Sequence, residues 1–206
     1  MPLIRKDTQP IASDAVAPDA SLAVLFGGDE DARWAATRQL AQAPNATDIL
    51  GRALAMERAS RVREAIFTSL ARIATPASAE VVLPYLRSED ANIRTGALDA
   101  LRAMPEAAGP HLPRLLKDED PDVRLLVTEI ARGLPTAEAA RLLCDLLETE
   151  TQANVCGAAV EVLAEVGGPD ALPTLQRCAA RFHDQPFLGF SIRIAIERIG
   201  APSPNA

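Results

Sequence analysis

Aromatic residues are scarce in this chain: one Trp, one Tyr and five Phe make up 3% of its 206 residues. The 48% that is hydrophobic is therefore mostly Ala, Leu and Val, enough for a substantial core and weighted toward helix formers. Cysteine is equally sparse. Cys144, Cys156 and Cys178 form no C-x-x-C pair and have no His at metal-ligand spacing, which argues for reduced thiols and against a disulfide framework. No apolar run approaches the roughly 18 residues that a membrane-spanning helix needs. The opening MPLIRKDTQP is charged and is not followed by an apolar segment, so no secretory signal is expected, and a cytoplasmic location is the expectation. Basic charge is short as well: the net charge is −7 and the isoelectric point about 4.9. An acidic protein gains little from counterion release at phosphates, which disfavours general nucleic-acid binding. P-loop, dinucleotide and G-x-S-x-G motifs are missing.

What the chain has is repetition. KDEDPDVR at 117–124 packs four carboxylates into five residues and, taken alone, looks like a metal loop or an acidic catalytic cluster. The same pattern recurs in GDEDARWAATRQLA (28–41) and SEDANIRTGALDALRAM (88–104). Less acidic copies are ERASRVREAIFTSLARI (57–73), TETQANVCGAAVEVLAEVG (149–167) and GFSIRIAIERIG (189–200). The aligned key positions are Arg33, Arg63, Arg94, Arg124, Cys156 and Arg193, spaced 30, 31, 30, 32 and 37 residues apart. A near-constant period over five intervals signals a solenoid of stacked units.

Each period holds two helical stretches. The first precedes the acidic turn, and in three copies it carries Leu-Pro-x-Leu, at 83–86, 112–115 and 172–175. Proline inside a helix removes a donor and bends it, so a bent outer helix is expected. Thr75-Pro76 reads as an N-cap followed by proline at the first helical position, and so does Asp120-Pro121, with Asp122 in the positive first turn. Counted from the key position, −1, +3 and +7 are apolar or small. Val62, Ile66 and Leu70, or Val155, Ala159 and Leu163, show the helical spacing of one buried face. Small residues at +2 and +3, such as Ala35, Ala65, Gly96 and Ala158, would let neighbouring inner helices approach closely.

The period, the paired helices and the acidic-turn-to-arginine signature (DPDVR at 120–124) resemble HEAT repeats, most closely the short type of phycobilisome bilin lyase subunits and many bacterial proteins. The resemblance spans residues 20–200 and implies an all-α, right-handed α-α superhelix of about six helix pairs. It also implies a ladder of Asp and Arg between neighbouring turns. Asp31, Asn92, Asp122 and Asn154, two residues before the key position, would bridge copies, and Cys156 would break the arginine series. Residues 1–19 read as an extended arm and 201–206 as a disordered tail.

The acidic turn lacks the sharp glycine of a calcium loop, and its sister copies keep the helix start while losing carboxylates, so capping explains it better than metal. Positions +1 and +4 lie off the expected core face yet hold Trp34, Phe67, Leu98, Leu125, Val160 and Ile194. They form either an apolar line along the concave surface, where solenoids hold partners, or inter-repeat packing. Both readings stand for Phe67, Leu98 and Val160; Trp34, in the first copy, favours a partner. The last copy has about ten extra residues between its landmarks, containing His183, Phe182, Phe187 and Phe190. A terminal cap filled by these aromatics is expected, ahead of a ligand pocket at His183. The His-Glu pairs of HEAT-type iron hydroxylases and the basic, aromatic groove of HEAT-like DNA glycosylases are not evident. Cys156 reads as a packed cysteine before a nucleophile.

The resulting expectation is a non-enzymatic scaffold or adaptor with no cofactor, no metal, no nucleic acid and no membrane. Trp34, Phe67, Leu98, Leu125, Val160 and Ile194 would touch a protein partner. Arg63, Arg94 and Arg124 would form the ladder and recognise carboxylates at its edge. The alternative implied by the resemblance is a bilin lyase-like or other cofactor-enzyme accessory subunit.

Overall fold

The computed structural model describes residues 18–201, with side chains from residue 21. Residues 1–17 of the expected arm and 202–206 of the expected tail lie outside the described residues; the first helix already begins at Pro18. No strand occurs among the described residues. Six pairs of helical elements follow one another. They are α1 (Pro18–Gly27) with α2 (Glu30–Leu40), α3 (Ala46–Met56) with α4 (Ser60–Ile73), and α5 (Pro76–Val82) with α6 (Ala91–Arg102). Next come α7 (Pro105–Ala108) and α8 (Leu112–Leu115) with α9 (Pro121–Ala131), α10 (Thr136–Thr149) with α11 (Ala153–Val166), and α12 (Leu172–Arg181) with α13 (Pro186–Gly200). The second members, α2, α4, α6, α9, α11 and α13, pack in series as an inner layer, and the first members cover them. This is an all-α repeat superhelix.

The buried stripe falls where helical periodicity puts it. Val62, Ile66 and Leu70 of α4, Val123, Val127 and Ala131 of α9, and Val155, Ala159 and Leu163 of α11 are fully buried. One contiguous core runs from Leu25 to Ala195. Each large aliphatic side chain buried there contributes about 1.5–3 kcal/mol.

The Leu-Pro-x-Leu segments differ from the expected bend. Short 3₁₀ stretches lie at Leu83–Arg87, Gly109–His111 and Pro169–Ala171, and Pro84, Pro113 and Pro173 each sit in the first turn of a new segment. Proline is tolerated in a first turn because its missing N–H would have no helical partner there. The outer layer is therefore broken at these prolines, not bent through them.

The acidic turns are helix starts. Asp29, Asp90 and Asp120 accept the backbone N–H groups of Ala32, Asn92 and Asp122 at 2.8, 2.8 and 2.9 Å. Thr75 caps α5 through the Ser78 N–H at 3.2 Å. Copies two and five lack such an Asp cap. There Glu57 accepts the N–H groups of Arg58 and Ala59, and Glu150 those of Thr151 and Gln152, all at 2.8 Å.

Candidate functional site

Inner-helix positions turned away from the core form the face on which the expected partner residues were placed. Its geometry begins with the key arginines. Arg94 donates to the carbonyls of Ser88 and Glu89 at 2.6 and 3.1 Å, and Arg124 to those of Asp118 and Glu119 at 2.7 and 3.2 Å. Arg33 and Arg63 do the same with Gly28 and Arg58. Each of these four guanidiniums closes its own turn, and those of Arg33, Arg63 and Arg124 then reach forward to an acid of the next copy. Arg33 forks onto Glu57 at 2.8 and 3.1 Å, Arg124 forks onto Glu150 at 2.6 and 2.9 Å, and Arg63 lies 3.7 Å from Asp90. Between copies three and four the bridge is Arg87 to Asp118.

These pairings alter the expected ladder. Of Asp31, Asn92, Asp122 and Asn154, Asp31 crosses to a neighbouring copy, through Arg61, whereas Asn154 serves the Val155 N–H beside it. The true acceptors are Glu57, Glu150 and Asp90, which the sequence reading passed over. Arg63, Arg94 and Arg124 are half-buried; Arg63 and Arg124 are engaged by carbonyls of their own turn and acids of the next copy and so join repeats, whereas Arg94 is held by two carbonyls of its own turn.

The carboxylates respond accordingly. The Arg33 hydrogen bond, aided by the N–H groups of Ala59 and Arg58, holds Glu57 below the usual carboxylate range. Burial pushes Glu150 upward, but Arg124 and the N–H groups of Gln152 and Thr151 outweigh it and leave its pKa lowered.

The apolar line divides by position. At +4, Phe67 is 4% exposed and Val160 1%, so the expectation that these two face a partner is corrected. Phe67 sits edge-on to Tyr85 with ring centroids 5.8 Å apart, and its ring lies over Gly96 of the next copy. Thr37 and Thr128, at the same register, are buried too. Position +4 therefore faces the next copy. The last described copy carries Glu197 there, exposed, with no further copy packed on it among the described residues. That Glu, alone among Thr, Phe, Leu, Thr and Val, was the signal in the sequence.

Trp34 and Leu125 at +1, and Leu98 at +4, are half-buried, and Ile194 is exposed. Trp34 lies between two guanidiniums, those of Arg38 at 5.0 Å and Arg61 at 4.8 Å from its ring centroid. Arg61 is in turn held by Asp31. Further along the inner layer Asp99, Asp122 and Glu161 are exposed and Glu129 half-buried. Arg132 pairs with Glu129, Glu161 and Glu165. The inner face is thus basic and aromatic around Trp34, acidic from Asp99 to Glu161, and basic again at the exposed Arg193 and Arg198 of α13.

The C-terminal aromatics do not form the expected cap. Phe182 packs on the core, but Phe187 is 90% and Phe190 55% exposed. Five inner helices begin three residues before the key position, whereas α13 begins seven before, at Pro186. The extra turn carries Phe187 outward, and Arg193 lies over Phe190 at 5.2 Å. His183 is exposed.

In the outer layer a cleft of about 580 Å³ is lined by Thr136, Arg141, Cys144 and Asp170, among others. Burial, with the Asp145 charge, pushes the Cys144 thiol up, which leaves it protonated and a poor nucleophile. No group of three or more His, Cys, Asp or Glu able to hold a metal ion occurs among the described residues. Among the same residues no helix is long and apolar enough to cross a membrane.

Residues 110–186 match a family model described as HEAT repeats, covering copies four and five and the start of copy six. A comparison with curated proteins returns no significant match. Among solved structures, an engineered protein from the Northeast Structural Genomics Consortium is similar at 19% identity and TM-score 0.46, over 88% of this chain and 96% of that one. A designed armadillo repeat protein is similar at 17% identity and TM-score 0.44, over 89% and 99%. Another designed armadillo repeat protein, solved in complex with the peptide (KR)4, is similar at 16% identity and TM-score 0.45, over 89% and 99%.

Proposed function

We propose that this repeat superhelix is an adaptor that holds a protein partner along its inner-helix face. The observation that carries the reading is Trp34 beside the Arg38 and Arg61 guanidiniums, each over its ring. A rigid indole flanked by guanidiniums offers large contact area with little ordering cost, the character of a binding hot spot. Small residues flank it at Ala35 of α2 and Ala65 of α4, and recur at Gly157 and Ala158 of α11. Leu98, Leu125 and Ile194 supply further apolar contact. The acidic stretch from Asp99 to Glu161 would favour basic groups on the middle of a partner.

The reading is tested by placing a photo-crosslinking residue at Arg38, Thr95 or Leu125 of the inner face, and at Glu80 or Arg114 of the outer layer. A discrete protein adduct from native lysate at the inner sites, lost on Trp34→Ala, is the expected result. Equal labelling from the outer sites, or adducts indifferent to Trp34→Ala in a folded protein, would overturn it.

A further inference from the structure

Copy six is joined firmly to copy five. Arg181, at the end of α12, reaches back to the carbonyls of Glu148 and Glu150 at 2.8 and 3.0 Å and also engages that of Leu147. It thereby covers the carbonyls that Cys156, standing where the first four copies have arginine, is too short and too weak a donor to serve. On the far side of copy six no further copy packs among the described residues. There α13 leaves Phe187, Phe190 and Ile194 90%, 55% and 43% exposed.

Helical rotation lays this surface out. At about 100° per residue, Pro186, Phe190, Arg193 and Glu197 fall within roughly 60° of arc, with Phe187 and Ile194 along one flank. Glu197 holds position +4, which in the preceding copies faces the next inner helix, as the Phe67 ring faces Gly96. The surface is therefore the one that a following helix would cover. Its charges are unanswered. In copies one, two and four the key arginine meets an acid of the following copy. Arg193 instead lies over Phe190 at 5.2 Å, and both Arg193 and Glu197 are exposed. Gln185, ahead of α13, makes no side-chain cap, so the positive first turn of the helix is open to an acid.

We propose that the end of copy six is a self-association surface, on which α13 of a second copy of this chain packs antiparallel across a two-fold axis. The order of residues along α13 suits that partner, because its first half is aromatic and its second half charged. About an axis near residues 191 and 192, Phe190 of each copy meets Arg193 of the other, the type of contact already made within one helix. Phe187 approaches Ile194, and Glu197 approaches the uncapped first turn at Pro186. Every contact occurs twice, as an isologous interface requires.

Head-to-tail stacking onto copy one fits poorly. Position +2 faces the preceding copy, as Gly96 faces Phe67. In copy one that position is the exposed Ala35, beside the exposed Arg38 and Gln39, and such small and polar groups leave the two rings uncovered. Across two copies, Phe187, Phe190 and Ile194 would withdraw roughly 700 Å² of surface from water. With Arg193, Glu197 and the first turn added, the area reaches the low end of specific interfaces, about 1,000–1,200 Å². The dimer therefore forms and dissociates in the micromolar range. This inference is independent of the adaptor reading, which rests on Trp34 in copy one.

The test is sedimentation of the full chain from about 2 to 500 µM, a range that brackets a weak specific interface. The mass should rise from one chain to two and stop there. Phe187→Asp and Phe190→Asp, both at exposed sites, should each weaken association by about tenfold or more, and Glu197→Lys should weaken it as well. Glu80→Lys in the outer layer should change nothing. The dilute chain is a single copy, so its unfolding does not sense Phe187. A photo-crosslinking residue at position 187, in a mixture of isotope-labelled and unlabelled chains, should join residues 186–200 of one chain to those of another. That mapping decides the arrangement even if an Asp variant fails to fold. A chain that stays monomeric throughout the range would overturn the proposal. So would a dimer indifferent to Phe187→Asp, adducts that fall in residues 18–40, or a mass that grows past two chains.

Discussion

Arg124 of α9 grips Glu150 at the end of α10 with both arms of its guanidinium, at 2.6 and 2.9 Å, although Glu150 is only 4% exposed. The acid is fully engaged, since the N–H groups of Thr151 and Gln152 share its other oxygen sites. Removing either partner of a buried pair strands the other charge, at a cost of about 3 kcal/mol. Arg124→Ala and Glu150→Ala should each destabilise by roughly that amount in urea unfolding. Asp31→Ala, which breaks the exposed Arg61 pair, should cost less than about 1 kcal/mol.

Acid should weaken the same joints. Glu57 and Glu150 both titrate below the ordinary carboxylate value of 4.5 when folded. A depressed folded pKa means that the unfolded chain takes up protons first as pH falls. Their contribution is therefore complete above about pH 4.5 and is lost as pH drops through the lower folded values. Thermal unfolding followed from pH 7 to pH 3 should show a midpoint that holds down to about that value and then declines. The gap between the natural protein and Glu150→Gln should narrow over the same window.

Gly96 and Phe67 occupy space that admits one side chain. A Cβ at Gly96 would lie 2.8 Å from the Phe67 ring, and the ring is held edge-on by Tyr85. Gly96→Ala should destabilise by about 1–3 kcal/mol. Adding Phe67→Leu should recover part of that loss, a coupling that a double-mutant cycle measures.

Ala74 ends α4 in the left-handed region, with φ 51°. An L-residue with a Cβ is disfavoured there by about 1 kcal/mol, and glycine is not. Ala74 is exposed, so no packing is lost on shortening it. Ala74→Gly should raise stability by about 0.5–1 kcal/mol in chemical denaturation.

Phe187 contributes nothing to the core despite its type, being 90% exposed. Phe187→Ser should leave the unfolding free energy within about 0.5 kcal/mol of the natural protein. A larger loss would mean that this turn of α13 is covered in solution.

By itself the sequence determined the units. The six-copy period, the caps at Thr75 and Asp120, and the buried −1, +3 and +7 positions were all legible. Each depends on relations inside one helix or turn, where a rotation of about 100° per residue and local hydrogen bonding leave little choice. Only the tertiary structure decided how one unit meets the next. It turned position +4 toward the following copy, burying Phe67 and Val160, and left Trp34 open between two arginines. It chose Glu57 and Glu150 as partners for Arg33 and Arg124, and let Arg181 cover the carbonyls that Cys156 could not. Those outcomes depend on the crossing angle and offset between stacked helices, which arise from packing between residues 24 to 33 apart in the chain and leave no period within a single helix to read.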